Sequence, residues 1–161
     1  MTIRKLAELT DTLPGGRPLL GLDLGEKTIG LALSDIALIV ASPMKTHRRG
    51  KFRADAAALL ALIDEHQVGG LVIGLPVNMD GSEGPRCQSA RQFAANLLER
   101  RDLEISFWDE RLSTAAVTRT MLEADLSRRR QAQVVDSMAA AYILQGALDF
   151  LRHAGDNDAA S

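Results

Sequence analysis

Three apolar segments in close succession constrain the fold of this chain most strongly. They span residues 19–25, 28–35 and 38–46, and the gaps between them are too short to hold a helix. Strands joined by such short turns pair antiparallel, because parallel neighbours need a crossover connection of about a dozen residues or more. The sequence therefore predicts a three-stranded antiparallel meander over residues 19–46.

The remainder of the chain alternates between helical and strand patterns. The spacing of its apolar residues indicates helices over 52–67 and 87–101 and strands over 71–76 and 103–110. Ser113 and Thr114 would begin a further helix, and a last helix would extend from Ser127 to about His153. Strands that are reached through helices join a sheet in parallel. We therefore expect an α/β fold with a mixed five-stranded sheet, the meander plus two parallel strands, and helices on both faces.

Length and composition indicate one ordinary globular domain. The chain has 161 residues, of which 46% are hydrophobic and 25% are charged. We expect an N-terminal extension over 1–18, the domain over 19–153 and a disordered tail over 154–161. No apolar run approaches the ~18 residues of a membrane helix, and the single cysteine, Cys87, cannot form an internal disulfide. The expectation that follows is a cytoplasmic protein with no membrane partner.

An aspartate lies inside one of the most apolar segments. Asp23 occupies the centre of LLGLDLG, which has the pattern of a strand that is covered on both faces. An ionised carboxylate in such a strand is costly unless another group compensates its charge. One interpretation is a metal-binding or catalytic aspartate. The alternative is a structural aspartate that is neutralised by Lys27 or by backbone donors.

Asp136 is unusual in a similar way. On the last helix it shares a face with Ala139, Ala140, Ile143 and Ala147, which is the packing face. Helices normally keep aspartate off this apolar stripe. Asp136 is therefore a second candidate, unless it is the N-cap of a helix that begins later than expected.

Two adjacent acids close the strand over 103–110. Because side chains alternate along a strand, Asp109 and Glu110 point to opposite faces, and only one of them can face a given site. The pattern does not choose between them, and an ordinary strand end at the surface is an equal alternative.

Together these acids predict a metal site. Carboxylates from separate elements suit Mg²⁺ or Mn²⁺, which also accept oxygens of a substrate phosphate as ligands. One or two such ions can activate water and stabilise the leaving oxygen of a phosphodiester. The histidines, His47, His66 and His153, have no zinc-binding spacing, and the GxSxG motif of a serine hydrolase is absent. The acids therefore favour metal-dependent hydrolysis of phosphodiesters.

Basic residues cluster although the chain as a whole is slightly acidic. The net charge of −2 is not typical of a protein that coats nucleic acid. The two clusters consist of Lys45, Arg48, Arg49, Lys51 and Arg53, and of Arg128, Arg129 and Arg130. They are either phosphate-contacting patches or ordinary surface charge.

Four segments resemble one known family. GLDLGEKTIGLALSD (21–35), VIGLPVNMDGSEG (72–84), FWDERLST (107–114) and VVDSMAAAYILQ (134–145) resemble the YqgF/RuvX family in the same order and spacing. The resemblance implies an RNase H-like fold and a nuclease that trims the 5′ end of pre-16S rRNA during ribosome maturation. Members of the family are also described as Holliday junction resolvases.

The resemblance also implies which residues act. It assigns the catalytic, metal-binding acids to Asp23, Glu110 and Asp136, and so selects Glu110 over Asp109. Lys27 and Arg111 match basic positions of the family beside those acids. The residues expected to contact nucleic acid are therefore Lys27, Arg48, Arg49, Arg111, Arg128, Arg129 and Arg130. The implied cofactor is one or two Mg²⁺ or Mn²⁺ ions, and the implied partners are precursor rRNA or branched DNA, and the ribosome.

Two departures from the family pattern bear on the site. Gln131-Ala132-Gln133 stands where the family often carries a lysine before the last aspartate. Many RNase H-like enzymes carry their second acid on the strand after the first helix, but here that strand ends Gly74-Leu75-Pro76. Glu110 must therefore reach over from the next strand.

Two other functions are compatible with the sequence. A binding factor for RNA, or for the transcription and ribosome machinery, would keep the fold without catalysis, although the intact acids argue against it. The segment GLDLGEKTIG also resembles the phosphate hairpin of actin-like ATPases. Those enzymes enclose a nucleotide between two such domains, and 161 residues supply only one.

Overall fold

A computed structural model describes residues 2–6, 8–9, 15–112 and 128–160 of the chain. Side chains are described for residues 5–6, 8–9, 15–112 and 137–153. The helix that the sequence predicts from Ser113 lies outside these ranges.

Six strands and three long helices account for most of the described residues. The strands are β1 (Thr2–Arg4), β2 (Leu19–Leu24), β3 (Thr28–Ser34), β4 (Ala41–Arg48), β5 (Gly70–Leu75) and β6 (Glu104–Asp109). The helices are α1 (Phe52–His66), α2 (Pro85–Arg100) and α3 (Arg128–Ala160), and a short 3₁₀ turn, Glu110–Leu112, follows β6.

The strands form one mixed sheet in the order β1-β6-β5-β2-β3-β4. β2, β3 and β4 pair antiparallel, whereas β5 pairs in parallel with both β2 and β6. The predicted meander and the two parallel strands are thereby confirmed. In the register of the sheet, Leu22 lies opposite Ile73, and Gly74 lies opposite Trp108.

The first residues of the chain add a sixth strand that the sequence analysis does not anticipate. Thr2 in β1 lies opposite Glu104 in β6, and the two strands are parallel. Leu6 and Leu9 follow, and both are buried in the cluster that contains Trp108. Residues 1–18 were expected to lie outside the domain as an extension. Part of this segment instead joins the domain, because burying two leucines removes apolar surface from water.

Helices cover both faces of the sheet, as expected. On one face, Leu20 and Leu22 of β2 belong to a core cluster with Leu59 of α1 and Phe93 of α2. On the other face, a second cluster joins the sheet to α3 and includes Leu19, Val72, Trp108, Ile143 and Leu144. The sheet is therefore the middle layer, and its two faces have different neighbours.

The last helix is longer than the sequence predicts. α3 extends to Ala160, whereas the sequence analysis ends it near His153 and expects a disordered tail over 154–161. The backbone remains helical because each residue added to an existing helix gains a backbone hydrogen bond. None of the described helices combines the length and the apolar composition that a membrane span requires.

Candidate active site

Asp23 is buried on the face of the sheet that α3 covers. It lies near the carboxyl end of β2, and 6% of its surface is exposed. Alternation along the strand places Leu22 on the face of α1 and α2, and Asp23 on the opposite face with Gly21. A Cβ at Gly21 would lie 2.8 Å from the Cβ of Leu144 and 3.1 Å from the carbonyl oxygen of Ala140. Asp23 therefore lies on the face against which α3 packs closely.

The neighbouring strand, β5, has no side chain beside Asp23. By the register given above, Gly74 lies next to Asp23 where the two parallel strands end. A Cβ at Gly74 would lie 2.6 Å from Cδ1 of Ile143 in α3 and 2.9 Å from Oε1 of Glu110. Real Cβ atoms essentially never show such short contacts. Glycine therefore leaves the space that the Glu110 carboxylate uses.

Glu110 reaches this point from the strand beyond Gly74. β6 ends at Asp109, and Glu110 begins the 3₁₀ turn that follows. Trp108 lies opposite Gly74, and Glu110 follows Trp108 by two residues. The sequence analysis expects Glu110 to reach over from this strand because Gly74-Leu75-Pro76 contains no acid. In the structure Oε1 of Glu110 lies beside Gly74 of β5, and its role at a metal stays a prediction.

Asp109 is engaged by a different partner. Nη2 and Nε of Arg111 donate hydrogen bonds to its carboxylate at 2.7 and 3.1 Å, and the backbone N–H of Arg111 donates to Oδ1 at 2.9 Å. The hydrogen bonds from Arg111 lower the pKa of Asp109, although burial acts in the opposite direction. Arg111 therefore neutralises Asp109, and Glu110 is the acid beside Gly74.

Asp136 belongs to α3, but its side chain lies outside the described ones. In the backbone it lies one helical turn before Ala140, which packs over β2. Farther along α3, the side-chain oxygen of Gln145 accepts a hydrogen bond from the backbone N–H of Ala41, near the opposite end of the sheet. The earlier residues of α3 therefore lie toward the end of β2 that carries Asp23.

The donor chemistry at this edge fits a small divalent cation. A carboxylate oxygen of Glu110 lies at Gly74, and Asp23 is the neighbour of Gly74 in the register of the sheet. Mg²⁺ characteristically takes one or two carboxylates and retains several waters. Among the described side chains, which exclude that of Asp136, no group of three His, Cys, Asp or Glu residues is arranged to hold a metal ion.

The residues expected to contact nucleic acid lie on several elements. Lys27 is exposed in the turn after β2, Arg48 is exposed at the end of β4, and Arg111 forms the ion pair described above. Arg49 instead folds back, and its Nη1 donates a hydrogen bond to the carbonyl oxygen of Gly25 at 2.6 Å. The first turn of α3 contains Arg128, Arg129 and Arg130, whose side chains are not among those described. Lys27, Arg48 and Arg49 thus share the edge of the sheet at which β2 ends.

A buried acid that the sequence analysis did not single out supports the loop of Arg49. Asp55, in the first turn of α1, is 2% exposed and accepts hydrogen bonds from the Gly50 N–H at 3.0 Å and from His47 Nε2 at 2.9 Å. Burial raises the pKa of Asp55, but the hydrogen bonds from Gly50 and His47 outweigh it, so the pKa is lowered overall. The sequence gives little sign of this role, because an acid in the first turn of a helix is commonly exposed.

We expect Asp55→Asn to lower the free energy of unfolding at pH 7 by about 1–3 kcal/mol, because buried donors lose a charged acceptor. The folded-state pKa of Asp55 lies below its usual value of 3.8. The stabilisation by its charge is therefore complete above that pH and is lost as the pH falls through the folded-state pKa. Urea unfolding at pH 7 and pH 3 measures this effect, and the difference between wild type and variant should be smaller at pH 3.

Asp64→Asn is the matched control for Asp55→Asn. Asp64 forms an exposed ion pair with Arg101, so its loss should cost less than about 1 kcal/mol. An equal destabilisation by Asp55→Asn at both pH values would contradict a stabilising charge at Asp55.

Comparison with known proteins identifies the family. A family model described as RuvX, Holliday junction resolvase, matches residues 17–150. A protein of Paramagnetospirillum magneticum, named as a proposed pre-16S rRNA nuclease, is 65% identical over 149 residues, which are 92% of this chain and 96% of that protein. A protein of Rhodospirillum rubrum with the same name is 60% identical over 152 residues, which are 94% of each chain.

Solved structures of low sequence identity share the fold. Thermus thermophilus RuvC has a TM-score of 0.53 and 12% identity, over 85% of this chain and 96% of that one. The same protein in complex with a Holliday junction substrate has a TM-score of 0.52 and 10% identity, over 82% and 93% of the two chains. These similarities confirm the expected RNase H-like fold. Since the family match spans most of the chain and the relatives align over nearly their whole length, this chain belongs to the RuvX family of nucleases.

Proposed function

We propose that this chain is a metal-dependent endonuclease that hydrolyses phosphodiesters during processing of the 5′ end of pre-16S rRNA. The observation that carries the proposal is the position of two acids on either side of Gly74. Asp23 neighbours Gly74 in the register of the sheet, and Oε1 of Glu110, which follows β6, lies in the space that a Cβ at Gly74 would occupy. The names of the two relatives described above support pre-16S rRNA as the substrate. The proposed place of action is the cytoplasm, with the ribosome as a partner.

Three acids would bind the metal, and the structure describes the surroundings of two of them, Asp23 and Glu110. Asp23, Glu110 and Asp136 would hold one or two Mg²⁺ or Mn²⁺ ions, which supply an activated water and stabilise charge on the leaving oxygen. Asp23 is held within a buried strand, and Glu110 is packed against Gly74. Carboxylates in such fixed positions need little reorganisation when the substrate binds, and this pre-organisation lowers the barrier to reaction.

The basic residues would bring the sugar–phosphate backbone to the acids. Lys27 and Arg48 are exposed at the edge where β2 ends, and Arg111 lies directly after Glu110. Arg49 and the arginines at 128–130 would extend this surface along the substrate. Aromatic residues make up only 4% of the chain, so few of them can stack on bases. This composition favours recognition of backbone and shape over base sequence.

Resolution of Holliday junctions is the second candidate function. It is favoured by the description of the matching family model and by the structural similarity to RuvC. The same acids would serve both reactions, because each breaks a phosphodiester bond. A non-catalytic RNA-binding factor is a third possibility, in which the acids would have no chemical role.

A side-by-side cleavage assay tests these alternatives. The protein is incubated with a pre-16S rRNA 5′ leader transcript and with a four-way DNA junction, each in Mg²⁺, Mn²⁺ or EDTA. We expect the transcript to be cut to a defined 5′ end in the presence of metal and to remain intact in EDTA. Cleavage of the junction alone would favour the resolvase. Tight binding to the transcript without cleavage in either metal would overturn the catalytic proposal.

A further inference from the structure

A hollow of about 240 Å³ lies at the same edge of the sheet as Asp23. The turn after β2, the loop before α1 and the first turns of α2 enclose it. Its wall includes Leu24, whose side chain alternates to the face opposite that of Asp23. Gly25, also in the wall, follows Asp23 by two residues, which at ~3.3 Å per residue is about 7 Å along the strand. A substrate strand that crosses this edge could therefore contact both places.

Arg49 projects into the hollow in a restrained position. Besides the hydrogen bond to Gly25, its guanidinium carbon lies 5.6 Å from the centre of the Phe93 ring, and its backbone N–H donates to the carbonyl oxygen of Lys27 at 2.8 Å. Neither the carbonyl oxygen nor the ring carries a negative charge. The nearby Asp55 carboxylate interacts electrostatically with Arg49, but its hydrogen bonds go to Gly50 and His47. A guanidinium carries five N–H donors, so most of them remain for a ligand.

Arg86 and Ser89 form the opposite side of the hollow. Three residues apart on α2, they share one face of the helix, and both are exposed. Glu26 is the acid in the lining, so the two arginines leave a net positive charge. The amino end of α2 adds a partial positive charge of its own.

A second hollow, at the opposite edge, has the reverse balance of charge. With a volume of about 600 Å³, it is larger, and it contains Arg17 and Arg101 together with the acids Asp64, Asp102 and Glu104. Arg101 is already paired with Asp64 at 2.6 Å. Volume alone therefore does not mark an anion site. Of these two hollows among the described residues, the one beside β2 has the excess of arginine.

We propose that the hollow beside β2 binds a phosphate group of the nucleic acid strand, away from the bond that is cut. Arg49 and Arg86 would hold the phosphate oxygens and Ser89 would donate a hydroxyl hydrogen bond, while Leu24 would contact the sugar. Arginine suits this task because its planar fork can hold two phosphate oxygens at once. The hollow is smaller than the ~300–1,000 Å³ of a typical small-molecule pocket, which agrees with one sugar–phosphate unit. This inference rests on the proposed function.

The slope of binding affinity against salt concentration tests the proposal. Arg49→Gln and Arg86→Gln each remove one charge from the hollow, and the control Arg17→Gln removes one from the opposite edge. Binding to the pre-16S rRNA 5′ leader is measured in EDTA at several salt concentrations. Each hollow variant should bind about tenfold more weakly, from the loss of charged hydrogen bonds. Each should also flatten the plot of log affinity against log salt by about 0.7–0.9 units. Arg17→Gln should keep the wild-type slope.

The salt slope also separates phosphate binding from a merely positioning role. Arg49 restrains the turn after β2, so Arg49→Gln could slow cleavage by displacing Asp23, but such a displacement would leave the salt slope unchanged. Arg86 does not restrain the turn after β2. If Arg49→Gln fails to fold, the salt slope of Arg86→Gln alone therefore tests phosphate binding in the hollow. Wild-type slopes in both variants of a protein that cuts the transcript would overturn this inference alone. A wild type that neither binds nor cuts would overturn the proposed function as well.

Substrates with one neutral phosphate locate the contact. A methylphosphonate replaces each phosphate in turn along the leader, and affinity is measured for wild type and Arg86→Gln. At one position, we expect the neutral phosphate to weaken binding by the wild type but not to weaken binding by Arg86→Gln any further. The two changes then remove the same contact, so their effects do not add. Additive losses at every position would contradict a phosphate held in the hollow.

Discussion

Asp23→Asn is expected to reduce metal-dependent cleavage by about 100-fold or more, because the stabilisation that a catalytic metal supplies is worth several kcal/mol. Asparagine keeps the size of aspartate but lacks the negative charge that attracts a divalent cation. Single-turnover cleavage of the rRNA leader in Mg²⁺ and in Mn²⁺ measures the loss. Thermal melting without metal should show an intact fold, because the side chain keeps its shape.

Controls separate this chemical role of Asp23 from a structural one. Asp64→Asn removes an exposed acid at the opposite edge and should leave the cleavage rate unchanged. Binding of the leader by Asp23→Asn in EDTA should be retained or tightened, because a negative charge near the phosphates is removed. A structural Asp23 predicts the reverse, a loss of ~3–5 kcal/mol of stability from a broken buried pair. Early melting of the variant, together with a wild type that never cuts, would overturn the assignment.

Gly74→Ala is expected to reduce cleavage by about 100-fold, because a displacement of about 1 Å in a catalytic group can have that effect. The new Cβ would lie 2.9 Å from Oε1 of Glu110 and 2.6 Å from Cδ1 of Ile143, so both groups must move. Crowding a packed core in this way should also cost about 1–3 kcal/mol of stability. Cleavage rates and urea unfolding measure the two effects separately.

A second substitution distinguishes the two consequences of Gly74→Ala. Ile143→Val removes the Cδ1 atom that the new Cβ would meet, and by itself it should cost only about 0.5–1.5 kcal/mol. In the double variant part of the stability should return, because the shortest contact is removed. Cleavage should stay low, because Glu110 remains displaced. Recovery of both would show that Gly74→Ala acts through the packing of α3. Wild-type cleavage by Gly74→Ala would contradict a role for Glu110 at this position.

Much of the fold could be predicted because its signals are local. The turns between β2, β3 and β4 are too short for crossovers, and the helical patterns before β5 and β6 require parallel pairing. The strand β1 escaped prediction because three residues carry no pattern, and its pairing with β6 joins segments about a hundred residues apart. Leu6 and Leu9 belong to the core only because that pairing brings them against Trp108 and its neighbours.

In the candidate site, too, some features can be predicted from local sequence and others depend on contacts between distant segments. By itself, the sequence determined that Asp23 stands in a buried strand, since an apolar run can be read locally. That Glu110 must reach over from the next strand was implied by the family resemblance together with the missing carboxylate at the end of β5. Only the tertiary structure decided that Glu110 lies against Gly74 while Asp109 binds Arg111, because the pattern of alternation leaves that choice open. Only the tertiary structure showed that the neighbouring residues Arg48 and Arg49 differ. Arg49 is hydrogen-bonded to Gly25 and lines a hollow with Arg86, whereas Arg48 is exposed. The physical reason is that register and packing bring together side chains from distant segments, and these contacts leave no periodic trace in the chain.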